Sequence, residues 1–249
     1  MKLSAVLLIA VGVLAFTGCG SKRQSKVAVP PPPPPATEEA DSTSKVPFEN
    51  TPTPKEDSEL SIPADTKPLL VQTGRASWYG APYHNRRGSN GEIYDMNAMT
   101  AAHRTLPLGS IVRVTNLNSG HSAIVRITDR GPFVEGRILD LSLAAARKVD
   151  VWQPGVAMVR LEVLKAPSAL DVGGRWAVQI GAFEAEKQAT SLASHLTRRY
   201  HTAKVQQFCS PIGDWWVRVR VLGDDRKRAE EVAHDIQTTQ GSIFLVRLD

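Results

Sequence analysis

Only two cysteines occur in the chain, Cys19 and Cys209, and Cys19 closes an N-terminal apolar run. The segment beyond it holds a single thiol, so no intrachain disulfide can form there even in an oxidising compartment. Cys209 lies in a strand-like apolar run and reads as a small buried hydrophobe. The sequence also lacks a Gly-x-Ser-x-Gly elbow, a phosphate-cradling glycine loop, a His-Glu-x-x-His pair and any Cys-rich metal spacing. Serine-elbow hydrolysis, P-loop nucleotide chemistry and zincin-type catalysis are therefore without support, and neither a cofactor nor a metal is expected. Glu92, Asp95 and His103 offer ligand atoms, but at no recognised metal spacing. Leu3 to Phe16 is too short to span a bilayer comfortably, and with Lys2 before it residues 1–18 read as a signal peptide.

The end of that segment, Phe16-Thr17-Gly18-Cys19, resembles a bacterial lipobox, with Phe16 in place of the usual aliphatic residue. The resemblance implies a lipidated Cys19 at a new N-terminus, and Gly20 after it favours the inner leaflet of the outer membrane, facing the periplasm. Each buried methylene of an acyl chain contributes about 0.8 kcal/mol, so several chains anchor stably. Residues 19–73 hold eleven of the seventeen prolines, including the run Pro30 to Pro35, and one aromatic residue, Phe48. Such a segment buries too little apolar surface to offset its ordering entropy and is expected to be a disordered, Pro-rich tether, extended where the prolines run together. The net charge of +5 is uneven: residues 74–164 carry 11 Lys and Arg against 7 Asp and Glu, and residues 20–73 carry 6 against 8. A basic folded part suits an acidic wall polymer. Export makes nucleic acid an unsuitable partner.

From Gly74 to about Lys165, short apolar runs alternate between Gly, Pro and Asn. Ile111 to Val114, Ala123 to Ile127 and Val159 to Val163 have strand parity, and Asp140 or Ser142 can cap one helix. A mainly β, barrel-like domain is expected. After a Pro/Ser/Gly-bearing connection the pattern becomes strand, helix, strand, strand, helix, strand over 174–249. Trp176, Val178 and Ile180 alternate, Ala189, Leu192, Ala193 and Leu196 recur at helical spacing, and Asp225 can cap a helix striped by Ala229, Val232, Ala233 and Ile236. This predicts a ferredoxin-like βαββαβ sandwich.

The ionisable residues of the β domain gather at turns: Asn90-Gly91-Glu92-Ile93-Tyr94-Asp95, Thr100-Ala101-Ala102-His103 and Thr128-Asp129-Arg130-Gly131-Pro132-Phe133. Strand ends and loops are where a rigid scaffold presents reactive groups. Together with Ala76-Ser77-Trp78-Tyr79-Gly80, Thr105-Leu106-Pro107, Gly136-Arg137 and Asp140-Leu141-Ser142, these segments resemble the rare lipoprotein A family, septal-ring proteins with a six-stranded double-psi β-barrel. Val178-Gln179-Ile180-Gly181-Ala182-Phe183 resembles the start of a SPOR domain, which accompanies that barrel.

The resemblance implies a lytic transglycosylase. Such an enzyme cleaves the β-1,4 bond from N-acetylmuramic acid to N-acetylglucosamine in glycan strands stripped of peptides, and the C6 hydroxyl closes onto C1 to leave a 1,6-anhydro end. The chemistry needs a carboxylic acid whose pKa is raised. Glu92, Asp95 and His103 fall on family active-site positions, and Asp129 on the barrel aspartate of related transglycosylases. Asp129 or Glu92 is the expected acid/base, with Asp95 and His103 positioning or tuning. Asn85, Gly88 and Ser89 stand where the family usually has Gly, Thr and Ala, beside Glu92. In the second domain Trp216, Arg218 and Arg220 share the sheet face opposite Val217, Val219 and Val221, and Gln179 joins them. That open face of one aromatic plate and forked donors suits stacking on sugar and binding carboxylate or acetamido oxygens, and the resemblance implies that the ligand is peptide-free glycan at the division septum. The alternative is a non-catalytic, expansin-like wall binder, since such barrels can hold polysaccharide without cutting it.

Overall fold

The computed structural model describes residues 62–249 apart from 64, 239 and 240. The segment expected to be a signal peptide, Cys19 and most of the expected tether lie outside the described residues.

Alternating parity makes six strands: β1 (Leu70–Trp78), β2 (Thr100–Ala102), β3 (Ile111–Asn116), β4 (Ser122–Asp129), β5 (Arg137–Leu141) and β6 (Ala157–Lys165). They close in the order β1-β5-β2-β4-β3-β6, and β6 pairs back onto β1, so the barrel has no free edge. Inward residues such as Val112, Val125, Ile127, Leu139, Leu141 and Leu161 are fully buried and fill the interior. Leu70–Thr73, expected in the tether, pair with Val163 to Arg160 and so belong to the barrel. Helix α1 (Leu143–Lys148) is capped by Ser142, whose Oγ accepts from the Ala145 N–H at 3.2 Å. The cap aims Ala145 and Ala146 into the barrel core.

The second module is β7 (Trp176–Phe183), α2 (Glu186–Arg199), β8 (Lys204–Cys209), β9 (Trp215–Arg220), α3 (Arg226–Asp235) and β10 (Ser242–Arg247). Its sheet order is β10-β7-β9-β8, all antiparallel, as the βαββαβ pattern requires. Ala189 and Leu196 of α2 and Ala229 and Val232 of α3 pack on Trp176, Val178, Ile180, Val217 and Val219. Asp225 caps α3 by accepting from the Arg228 N–H at 2.9 Å. Gly223, at φ 72°, makes the turn before it. Cys209 departs from expectation and is exposed. It shares a face with Val205 and Gln207, and Gln207 accepts a hydrogen bond from Thr190 of α2. Cys209 lies at the end of the edge strand and lacks the burial that Val205 gains in the core.

Candidate active site

The outer wall of the barrel is built across β5, β2 and β4. Ala102 of β2 sits in register with Asp140 on one side and Asp129 on the other. On a regular strand Asp129 would share a face with buried Ile127. The register slips between Ala101 and Ala102, so that Ile127 opposes Ala101 while Asp129 opposes Ala102. This irregularity turns Asp129 away from the core. Two aspartates therefore flank a side chain of one methyl group, with about 10 Å between their Cα atoms from two interstrand spacings.

The loop between β1 and β2 folds onto this wall and is pinned through Asn90, Ser89 and Glu92. The Asn90 N–H donates to the Thr128 carbonyl at 3.2 Å. The Ser89 N–H and Oγ–H both donate to Asp129 Oδ1, at 3.0 and 2.5 Å. Arg126 donates to both Glu92 carboxylate oxygens, at 3.2 and 3.0 Å. Asn85 takes φ 62°, a left-handed conformation that Asn tolerates better than most residues. Glu92, Asp95, Thr100, Arg126 and Asp129 consequently line one depression, with Tyr94 as a wall.

The carboxyls differ in environment. Hydrogen bonds from Arg126 hold Glu92 below the usual carboxylate range, with Asn90 adding to the effect and slight burial opposing it. Glu92 is thus ionised at neutral pH, the opposite of what a proton donor needs before reaction. Asp129 Oδ1 accepts a further bond from the Arg130 N–H at 2.7 Å. Asp95 lies on the rim, its Oδ1 accepting from the Asn97 N–H at 2.9 Å, with His84 at 3.7 Å.

Asp140 is different. Burial pushes its pKa up to about 6, and Arg137 and Arg104 only partly offset the desolvation. Arg137 reaches Oδ2 at 3.1 Å, whereas buried Oδ1 has no hydrogen-bond partner among the described residues. The Tyr79 phenol is raised by its own burial and then by Asp129, Tyr94 and Asp140, which places both aspartates in one electrostatic neighbourhood. Asp140 was legible in sequence only as part of a motif and a possible helix cap. The available signal was a charge between two core leucines on a short strand.

His103 is not brought to this depression. It is 4% exposed and lines a separate recess with Gln72, Thr73, Arg104 and Ile138. Its Nδ1 accepts from the Thr105 and Leu106 N–H groups at 3.1 and 3.0 Å, so the ring proton sits on Nε2, 3.1 Å from Gln72 Oε1. Burial first, then Arg104 and Arg130, lowers its pKa to about 3. The His103 N–H donates to the Asp129 carbonyl at 3.1 Å, so the residue braces the aspartate strand from behind.

In the second module Gln179, Trp216, Arg218 and Arg220 do lie on the side of the sheet away from the helices, but the face is not open. Trp216 is 7% exposed and Gln179 1%. Gln179 Oε1 accepts two bonds from Arg218, at 3.1 and 2.6 Å. Arg220 is drawn to Asp224 at 3.0 and 2.6 Å.

A closed six-stranded barrel with a carboxyl-lined outer groove, followed by a four-stranded βαββαβ module, defines a two-module protein of double-psi barrel and SPOR type. Residues 71–161 match the family described as lytic transglycolase, and residues 172–247 match the SPOR domain. A Campylobacter jejuni protein named endolytic peptidoglycan transglycosylase RlpA is 36% identical over 81% of this chain and 80% of its own length. The chain belongs to the RlpA family. A Vibrio cholerae protein of the same name is 58% identical over 38% of this chain, a match that spans 36% of that protein. Among solved structures, an expansin of Clavibacter michiganensis aligns at 14% identity and a TM-score of 0.32, over 61% of this chain and 80% of its own.

Proposed function

We propose that this chain is an endolytic peptidoglycan transglycosylase whose proton-bearing group is Asp140. The observation that carries this reading is geometric: the half-buried Asp140 carboxyl lies in register across Ala102 from Asp129, with Oδ2 on Arg137 and Oδ1 without a hydrogen-bond partner among the described residues, and desolvation pushes its pKa up to about 6. A raised pKa keeps a useful fraction of Asp140 protonated near neutral pH, ready to protonate the leaving glycosidic oxygen. The resulting carboxylate then accepts the proton of the muramoyl C6 hydroxyl as that oxygen closes onto C1, so one group serves twice and no water is consumed. Asp129, its Oδ1 fixed by Ser89 and Arg130, faces the positive charge developing on the sugar ring. Glu92, paired to Arg126, and Asp95 on the rim hold the loop and the glycan hydroxyls. The names of the relatives support the substrate and reaction class. A pure binder would gain nothing from a half-buried, desolvated carboxyl that costs stability when ionised.

The finer reading is that the substrate is peptide-stripped glycan, that the SPOR domain concentrates the enzyme on it at the division septum, and that acyl chains on Cys19 tether it to the outer membrane. Incubation with peptide-stripped glycan strands, followed by mass spectrometry, tests the reaction. Products ending in 1,6-anhydromuramic acid support it. Reducing ends would mean hydrolysis, and bound but uncut strands would favour the non-catalytic alternative.

A further inference from the structure

The sheet of the second module has helices on one side only, so its other side should face solvent. Around Trp216 and Phe244 it does not, although Lys204 and Gln206 of the edge strand β8 remain exposed on that face. Trp216 and Phe244 are each 7% exposed and form, with Val246, a third apolar cluster to which the barrel contributes Phe133. The Phe133 ring lies 5.3 Å from Trp216 at 53° and 5.8 Å from Phe244 at 57°, the tilted arrangement that aromatic pairs favour. Arg104 of the barrel stacks over the other aromatic plate, 5.3 Å from the Phe244 centroid, and holds the loop by donating to the Pro132 carbonyl at 2.9 Å. Beside them Ser242 donates to Glu135 at 2.9 Å. The covering loop, 130–135, continues directly from Asp129.

We propose that this sheet face is one site with two mutually exclusive occupants: the barrel's own Phe133 loop, which fills it in the structure, and a pyranose ring of the glycan, which must displace that loop to bind. The proposal rests on the reading of the SPOR domain as a glycan binder and adds its regulation. Trp216, Phe244 and, on β8, Phe208 are aromatic groups on this face able to stack on the apolar side of a sugar ring, Trp216 and Phe244 being the two that Phe133 covers, and Arg218 and Gln179 beside them carry the donors for acetamido and carboxylate oxygens. Phe133 occupies the stacking position, so a ring cannot take it while the loop is docked. Contacts between domains of one chain generally resemble transient interfaces, and their release is within reach of a modest ligand. The coupling is reciprocal: glycan on the sheet favours release of the loop that begins at Asp129, and a docked loop weakens glycan binding. The enzyme would then engage its substrate polymer with the SPOR face before the loop next to the catalytic wall is freed.

The test fixes the docked state in the full chain. With Cys19 and Cys209 replaced by serine, Glu135→Cys and Ser242→Cys are joined by a short bis-methanethiosulfonate linker that reductant cleaves. Binding to peptide-stripped glycan strands is measured before and after cleavage, and the SPOR contribution is taken as the part that Trp216→Ala removes. The linked form should lose that contribution by tenfold or more, and cleavage should restore it. Separately, Phe133→Ala should tighten it about two- to tenfold, the worth of an aromatic pair released from competition. Equal SPOR-dependent binding by the linked and cleaved forms overturns the proposal and leaves the glycan-binding reading intact. If neither the cleaved form nor Phe133→Ala shows any Trp216-dependent binding, the glycan-binding reading fails and this proposal with it.

Discussion

Replacing Asp140 by asparagine removes a charge that the fold holds at a cost, and the cost can be worked out. The pKa rises from an ordinary 3.8 to about 6, so at pH 8 the folded protein carries an ionised group that it disfavours relative to the unfolded chain. At 1.36 kcal/mol per pKa unit, the penalty approaches 3 kcal/mol. The sign follows from the upward direction. Relative to an always-ionised group, the protonated carboxyl adds stability that is fully present below pH 3.8 and lost as pH rises through about 6. Asparagine has no such titration and can still accept from Arg137, which reaches Asp140 at 3.1 Å. Urea unfolding of the wild type and Asp140→Asn at pH 4.5 and pH 8 isolates this group, because the other titrations occur in both proteins. The variant should be stabler by about 1–3 kcal/mol at pH 8, with most of that difference gone at pH 4.5. It should also be inactive, exchanging function for stability. An unchanged stability difference between the two pH values would refute a raised pKa at Asp140 and remove the case for it as proton donor.

The same environment sets the pH dependence of the rate: activity should fall about tenfold per pH unit above about 6, as the protonated fraction of Asp140 does, and a rate flat from pH 6 to 8 would contradict this. His103 should stay neutral from pH 8 down to pH 5 with its proton on Nε2, visible by nitrogen NMR, and a midpoint near 6.5 would be the contrary result. His103→Ala should destabilise the barrel by about 2–4 kcal/mol, because the buried Leu106 N–H and the half-buried Thr105 N–H lose their acceptor, and urea midpoints measure this. Glu92→Gln should change stability by less than about 1 kcal/mol, since the ion pair with Arg126 is more than half exposed on the Glu92 side. Its effect should appear in glycan cleavage assays as the loop loosens.

Much of the architecture was legible in the sequence because it rests on short-range periodicity. The parity of Val217 and Val219 against Trp216 and Arg218, and the stripe Ala229 to Ile236, give the second module its two layers, and Ser142 and Asp225 both cap the helices they precede. The turn residues Glu92, Asp95 and Asp129 do meet in one depression. What could not be read is what depends on neighbours distant in sequence. Asp140 sits between Leu139 and Leu141, so parity turns it outward, and an outward aspartate is normally solvated. Instead it is half-buried, and desolvation raises its pKa despite the Arg137 pair. Asp129 needed the slipped register at Ala102 to leave the core. His103, adjacent in sequence to the groove strand, points behind it to Gln72 of β1. Strand parity puts Trp216 on the face away from the helices, but its cover by Phe133 comes from the other module.

The role of Asp140 is decided by the yield of 1,6-anhydromuramoyl products from peptide-stripped glycan by the wild type, Asp140→Asn and Asp129→Asn, with glycan binding measured in the same samples. Asp140→Asn should bind glycan as the wild type does and form no anhydro product, with Asp129→Asn retaining a reduced rate. Anhydro products from Asp140→Asn at the wild-type rate would rule out Asp140 as the proton donor.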